Sequence, residues 1–310
     1  MLNWMQVVAA GMMVLNLGVS ATAGGGRPLK VDHVTICGPD LVTLQAAFMR
    51  LGLTADYGGP HATGGTHMAV MGLEDGSYVE LVAPMTAGAA TDSGWSKLML
   101  ANAGPCAWAV GSDDIQKDVD AMKHAGLPMD GPFPGGRKKP DGKILEWQTG
   151  ALATEHAGAV LPFMIQDRTP REWRVRPSAS AKGMGLAGVA AVVLGVHDID
   201  SAIASFRKAY GWPAPLRDEH PEFGAKLAYF AGTPVILATP LGSDSWLTTR
   251  LGVVGESPGA FLLGGPDFDK ASAKAKPALG KWFGHRIAWF DAEKLEGTRL
   301  GVMERLVPRP

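Results

Sequence analysis

Four side chains early in the chain have the types and surroundings for acid–base or metal chemistry. They are His33 in VDHVTIC, His61 and His67 in GGPHATGGTHMAV, and Glu80 in SYVELVAP. The first and last of these stretches read as short apolar strands. Side chains alternate faces along a strand, so His33, Thr35 and Cys37 share one face, and Tyr78, Glu80 and Val82 share another. A carboxylate inside an apolar strand is costly unless it is paired or bound to a metal. Imidazole with carboxylate suits zinc, nickel, manganese or iron. The plainer alternatives stay open: His33 follows Asp32 and can be a satisfied structural histidine, and Glu80 can pair with His33 or with an arginine. His67 opens a strand behind a glycine-rich loop that lets backbone approach a ligand closely. It can bind the metal, act as a base or simply hydrogen-bond. Cys106 as a thiolate would favour zinc, unless a disulfide to Cys37 removes it.

These residues need elements to position them, and the sequence repeats one local grammar four times after residue 30. A short apolar strand ends in a turn with an aspartate, then an amphipathic helix follows, then further short strands. Leu41, Leu44, Phe48 and Leu51 fall on one face of the first helix. Ile115, Val119 and Met122 do so in the second, and Ile199, Ile203, Phe206 and Tyr210 in the third. The fourth, GAFLLGGPDFDKASAKAKPALG, is Ala- and Lys-rich and weaker. Asp40, Asp114, Asp198 and Asp267 are expected to cap these helices by accepting free amide hydrogens of the first turn.

A single strand–helix unit cannot bury its sheet face alone, so the units should pair. Units one and two are expected to form a domain over residues 30–170, and units three and four a second over 184–308. Residues 171–183 lie in a stretch rich in Pro, Ser, Gly and Arg and read as a linker. Arg168, Arg171, Arg174 and Arg176 read as a solvated surface run, with an anion contact as the alternative. The stretch GGRKKPDGK reads as a solvated hairpin and not a phosphate loop. Residues 1–23 read as a signal peptide, with an apolar run from Val7 to Val19 and an Ala21-Thr22-Ala23 cleavage site, although no Lys or Arg precedes the run. A secreted or periplasmic protein follows from that reading. Two cysteines are enough for one disulfide in such a protein, but spacing alone does not show that they meet.

The stretches DHVTICGPDL and GGPHATGGTHMAVMGLEDGSYVELVAP resemble the glyoxalase-like domains of the vicinal oxygen chelate superfamily. The resemblance is clearest over residues 31–85, and the fourfold order extends it over nearly all of the chain after the leader. It implies an α+β fold of four βαβββ modules, paired into two glyoxalase-like domains, each a curved sheet around a cleft. It also implies a divalent metal in the cleft, held by His and Glu from the first and last strands of paired modules. His33 and Glu80 match those positions, and His61 and Thr66 match a GG-x-H…GT feature of related domains. Aligned on the turn aspartates, the later modules put Cys106 or Ala107, Ala191 and Ala260 where the first has His33. The site is therefore expected in the first domain alone, with His33, Glu80 and His67 as metal ligands and Glu80, His61 and His67 as proton-moving groups.

The expected function is a metal-dependent lyase, isomerase or dioxygenase acting on a small molecule with adjacent oxygens. The opposing reading is a metal-free protein that binds or sequesters a small molecule, with Trp108 and Trp147 either lining a cleft or filling the core. A formal net charge of −1 gives no sign of nucleic acid as a partner. No membrane association is expected after leader cleavage, and a homodimer is compatible with the pattern. No G-x-S-x-G, H-E-x-x-H or C-x-x-C motif competes.

Overall fold

The computed structural model describes residues 29–153, 156–275 and 280–304. The expected leader lies outside the described residues. Two eight-stranded mixed sheets make up the protein. The first runs in the order β2 (Asp56–Pro60), β3 (Thr66–Gly72), β4 (Tyr78–Pro84), β1 (Val31–Cys37), β5 (Gly104–Gly111), β8 (Phe163–Asp167), β7 (Ile144–Leu152), β6 (Met129–Lys138). The second repeats that order with β10 (Leu216–His220), β11 (Ala225–Tyr229), β12 (Val235–Pro240), β9 (Gly188–Gly195), β13 (Ser257–Gly264), β16 (Leu300–Met303), β15 (His285–Trp289), β14 (Lys281–Trp282). In each sheet two modules meet along an antiparallel seam, β1 with β5 and β9 with β13.

Each module carries its helix between its first two strands: α1 (Leu41–Arg50), α3 (Ile115–His124), α6 (Ile199–Tyr210) and α8 (Phe268–Ser272). All four turn aspartates cap as the sequence predicts. The side chains of Asp40, Asp114, Asp198 and Asp267 each accept from a first-turn amide. Short helices α2 (Ser96–Leu100) and α7 (Trp246–Val254) join the modules within each sheet, and α4 (Arg171–Arg174) and α5 (Ala179–Met184) lie between the sheets. Among the described residues no helix is long and apolar enough to cross a membrane.

The helices pack on one face of each sheet. Val34 and Ile36 of β1 and Val79 and Leu81 of β4 point to that side, against Leu41, Leu44 and Phe48 of α1. Full burial of each such large side chain stabilises by about 1.5–3 kcal/mol. Trp108 belongs to this core, fully buried, with its indole N–H donating to the Val160 carbonyl at 3.0 Å. His33, Thr35 and Glu80 therefore face the other side, as the alternation requires. Cys37 and Cys106 form a disulfide across the β1–β5 seam, with Cα atoms 5.8 Å apart. Closing a loop of that separation stabilises by about 4 kcal/mol in the chain-entropy account.

The two sheets differ on the face away from their helices. In the second, aromatic side chains fill the space. Phe223 stacks on Trp289 with centroids 5.3 Å apart and meets Trp282 edge-on at 4.7 Å, and Arg299 lies 3.9 Å over Trp246. Ala191 and Ala260, at the positions matching His33, belong to this packed cluster. In the first sheet the same face is open.

Candidate active site

A cavity of about 750 Å³ occupies the open face of the first sheet. Its floor is built by β1 and β4, which run parallel with Thr35 in register with Glu80. Glu80 is buried at the centre. Thr35 Oγ1 donates to its Oε2 at 3.1 Å. Two imidazoles flank it: His33 Nε2 lies 3.8 Å from Oε2, and His61 Nε2 lies 3.7 Å from Oε1. Burial opposes the charge of Glu80, but the His61 ring, the His33 ring and the Thr35 hydroxyl hold its pKa down at about 2. The carboxylate is thus ionised at neutral pH.

His33 is fixed from behind. Its Nδ1 sits 2.7 Å from Asp32 Oδ1, and its ring stacks on Tyr78 at 4.6 Å. Burial opposes the charge of Asp32 too, but the His33 contact and the Arg174 guanidinium hold its carboxyl well below the usual carboxylate range. An ionised carboxylate only accepts, so His33 Nδ1 carries a proton, and in the neutral ring the Nε2 lone pair faces the cavity. Nε2 and Glu80 Oε2 then face each other as two acceptors. That pair is suited to hold a donor between them, such as a substrate hydroxyl or a second proton on His33.

Arg174 makes this arrangement possible. It donates to both Asp32 oxygens at 2.9 Å, to the two Asp167 oxygens at 2.6 and 2.9 Å, and to the Tyr78 hydroxyl at 2.8 Å. Arg171 reaches Asp32 and Asp167 as well. The reading of these arginines as solvated is corrected here for two of them. Arg174 is buried and Arg171 half-buried, because the segment after β8 folds back over the ionised Asp32; Arg168 and Arg176 are exposed. Sequence composition carries no sign of this return.

His61 enters from the loop between β2 and β3. Its Nδ1 pairs with Thr66 Oγ1 at 2.7 Å, and its side chain is one-fifth exposed at the cavity edge. His67 does not join the group. Thr66 and Met68 line the cavity, so strand alternation turns His67 to the other face of β3. There it meets Tyr57 edge-on at 5.9 Å, and burial lowers its pKa against the pull of Asp40. The expected ligand set of His33, Glu80 and His67 is therefore not assembled.

Trp147 and Trp95 line the cavity with Phe163 and Ile165, while Trp108 does not. Gly135 allows Trp147 to lie across β6, because a Cβ there would stand 2.4 Å from the indole nitrogen. Arg137 of β6 also lines the cavity and is buried. The reading of GGRKKPDGK as a solvated hairpin holds for its tip but not for this side chain.

The glyoxalase-like domain family matches residues 31–193. The chain belongs to that family. Two solved structures share the fold over most of the chain. A hypothetical protein from Staphylococcus aureus is 13% identical, covers 89% of this chain and 100% of its own, and has a TM-score of 0.57. A triple mutant of 4-hydroxymandelate synthase from Streptomyces coelicolor is 13% identical, covers 91% of this chain and 94% of its own, at 0.58. The smaller methylmalonyl-CoA epimerase from Mycobacterium tuberculosis is 19% identical, covers 41% of this chain and 91% of its own, at 0.34. No curated protein matches. The glyoxalase-like protein thus has the fold of the vicinal oxygen chelate superfamily, whose members commonly use divalent metals.

The donor set tests whether such an ion fits here. Ala107 stands where the second module would offer a counterpart to His33. Two residues on, Ala109 pairs with Phe163, which takes the place of Glu80. The second module thus supplies methyl and phenyl groups. In the first, the two Glu80 oxygens are turned to different imidazoles. Among the described residues no group of three His, Cys, Asp or Glu side chains is placed to hold an ion. The side chains present do not fit the two-module metal centre that the superfamily resemblance implies.

Proposed function

We propose that the cavity is the active site of an enzyme that moves a proton on a small oxygen-bearing molecule, by isomerase or lyase chemistry. One observation carries the reading: an ionised, buried carboxylate sits between two imidazoles on the floor of a cavity large enough for a small molecule. Nothing about holding the sheet together requires that arrangement.

The three groups divide the work. His61, at the cavity edge, takes a proton from the carbon beside a carbonyl or hydroxyl, and Glu80 stabilises the imidazolium that forms. His33, held by Asp32 in the tautomer with a free Nε2, accepts or returns a proton at the neighbouring atom. A substrate hydroxyl seated between His33 Nε2 and Glu80 Oε2 would satisfy both acceptors. Two proton carriers on either side of one carboxylate allow removal at one atom and return at the next. Removal is the step common to isomerisation and elimination: in the first the proton returns to the neighbouring atom, in the second it goes to the oxygen that departs as the C–O bond breaks. Export belongs to this reading and is supported by the Cys37–Cys106 disulfide.

Incubation in D₂O with a panel of 2-oxo and 2-hydroxy acids and ketones, followed by proton NMR, tests it. The expected result is catalysed loss of a C–H signal from at least one compound, abolished in Glu80→Gln and His61→Ala. Saturable binding across the panel without any exchange would refute proton transfer and favour a sequestering protein.

A further inference from the structure

Two buried arginines border the cavity, and their partners are opposite in kind. Arg174 is saturated by two aspartates. Arg137 has only backbone carbonyls: its guanidinium donates to Gly58 O, and to Arg174 O at 3.5 Å. Among the described residues it forms no ion pair, although it is 4% exposed. Burial lowers its pKa from the ordinary value. A guanidinium out of water without a counter-anion is a standing cost to the folded state. Ionised Glu80 across the floor offsets part of that cost without pairing with it, and the neighbouring positive charge of Arg174 adds to it. Evolution of a stable fold alone would replace such a side chain with an apolar one of similar volume.

The surroundings of Arg137 indicate what it awaits. It opens onto the cavity beside Trp147, with Phe163 and Ile165 on the same wall and Glu80 and His61 across the floor. We propose that Arg137 is the anchor for a carboxylate on the substrate, and that the substrate's apolar body lies along Trp147 and Phe163. A planar guanidinium fork matches the two oxygens of a carboxylate. The charge of Arg174 is already spent on Asp32 and Asp167, and Arg137 is the cavity guanidinium that no carboxylate among the described residues pairs, so it suits a monoanion; a phosphate dianion would bring a second negative charge toward ionised Glu80. Anchored there, the carboxylate fixes the molecule from one end while the carbon to be deprotonated faces the Glu80 group. This deepens the proton-transfer reading and rests on it only for the second half of that statement.

The test is isothermal titration calorimetry on the full chain with phenylacetate and 3-phenylpropionate, each against its primary amide, and with phenylphosphonate. In the parent protein the acids should bind about tenfold or more tightly than the amides, the worth of one charge-assisted pair. In Arg137→Gln that preference should vanish. Thermal melting of the ligand-free proteins supplies a second readout. Arg137→Gln and Arg137→Met should melt no lower than the parent, because they remove an unpaired buried charge; a merely structural arginine would give a clear loss. Equal binding of acid and amide, no binding of either acid, a preference that survives in Arg137→Gln, tighter binding of phenylphosphonate, or a lowered melting point would each overturn the proposal. Acid-selective binding in a protein that exchanges no C–H proton would leave the anchor standing and sink the proton-transfer reading alone.

Discussion

Replacing Arg174 with methionine should destabilise the protein in a way that fades with acid. The guanidinium is buried and donates to Asp32 and Asp167, with both Asp32 oxygens accepting at 2.9 Å. Methionine keeps most of the volume and removes the charge. Asp32 is then left buried with Arg171 and His33 as its remaining partners. Breaking a buried pair from one side costs about 3–5 kcal/mol. Arg171 still reaches Asp32, so the lower figure applies, about 3 kcal/mol. In a urea titration with a slope of about 3 kcal/mol/M, the midpoint falls by about 1 M. The acid dependence follows from Asp32, whose folded-state pKa is depressed. Its contribution is present above the unfolded pKa of about 4 and is lost as pH falls toward the folded value. In the variant the depression is smaller, so less is lost on acidification. The gap between parent and variant should therefore narrow below about pH 4. Asp32→Asn combined with Arg174→Met should cost less than the sum of the two single changes. Deuterium exchange should also slow by about tenfold to a hundredfold, because Asp32, no longer fixed by Arg174, holds His33 less firmly in one orientation. A loss below about 1 kcal/mol at neutral pH, or a gap that does not narrow in acid, would refute the account of Asp32 as a charge held in place by Arg174.

Glu80 supplies its own acid-sensitive stability: a pKa of about 2 against 4.5 corresponds to about 3 kcal/mol, present above pH 4.5 and lost as pH falls toward 2. Urea midpoints measured against pH should show a steeper acid-side fall in the parent than in Glu80→Gln, and matching curves would contradict the assignment. His61→Ala should abolish deuterium exchange while His67→Ala leaves it nearly intact, since the two rings lie on opposite sides of β3. Equal losses in both would mean that His67 reaches the cavity after all. Elemental mass spectrometry of the purified protein should find no stoichiometric divalent metal; an equivalent of one ion that disappears in His33→Ala would overturn the reading of the donor set.

The frame of the site is legible in the sequence because its signals are local. A capping aspartate followed by apolar residues at three-four spacing marks each helix, and all four helices start where Asp40, Asp114, Asp198 and Asp267 predict. The shared side of His33, Thr35 and Glu80 follows from strand alternation once VDHVTIC and SYVELVAP are read as neighbouring strands. His67 is different. Met68, Ala69, Val70 and Met71 after it are all apolar, because β3 has the helix layer on one side and the cavity on the other. A strand covered on both sides has no two-residue period to show where its first residue points. Arg174 and Arg137 are hidden for another reason. Each lies in a polar, Gly- or Pro-containing stretch of a kind that usually faces water. What buries them comes from far along the chain: Asp32 is 142 residues from Arg174, and Gly58 is 79 from Arg137.

The same contrast explains why only one of four equivalent module faces carries the imidazole–carboxylate group. The fold offers four positions like that of His33, at the middle of each module's first strand, and the other three hold alanine. In the second sheet small strand residues make room for Phe223, Trp282 and Trp289, and aromatic packing fills the face. In the second module Ala107 lies under the Gly158 segment and Ala109 packs with Phe163 and Ile165, and Phe163 and Trp147 form a cavity wall in place of a second set of donors. The first sheet is thus divided. The β1–β4 half carries the two imidazoles and the carboxylate, and the β5–β8 half carries an apolar wall with Arg137 in it. A site divided that way suits a molecule with two unlike ends, one apolar and anionic, the other bearing the oxygen beside which the proton moves.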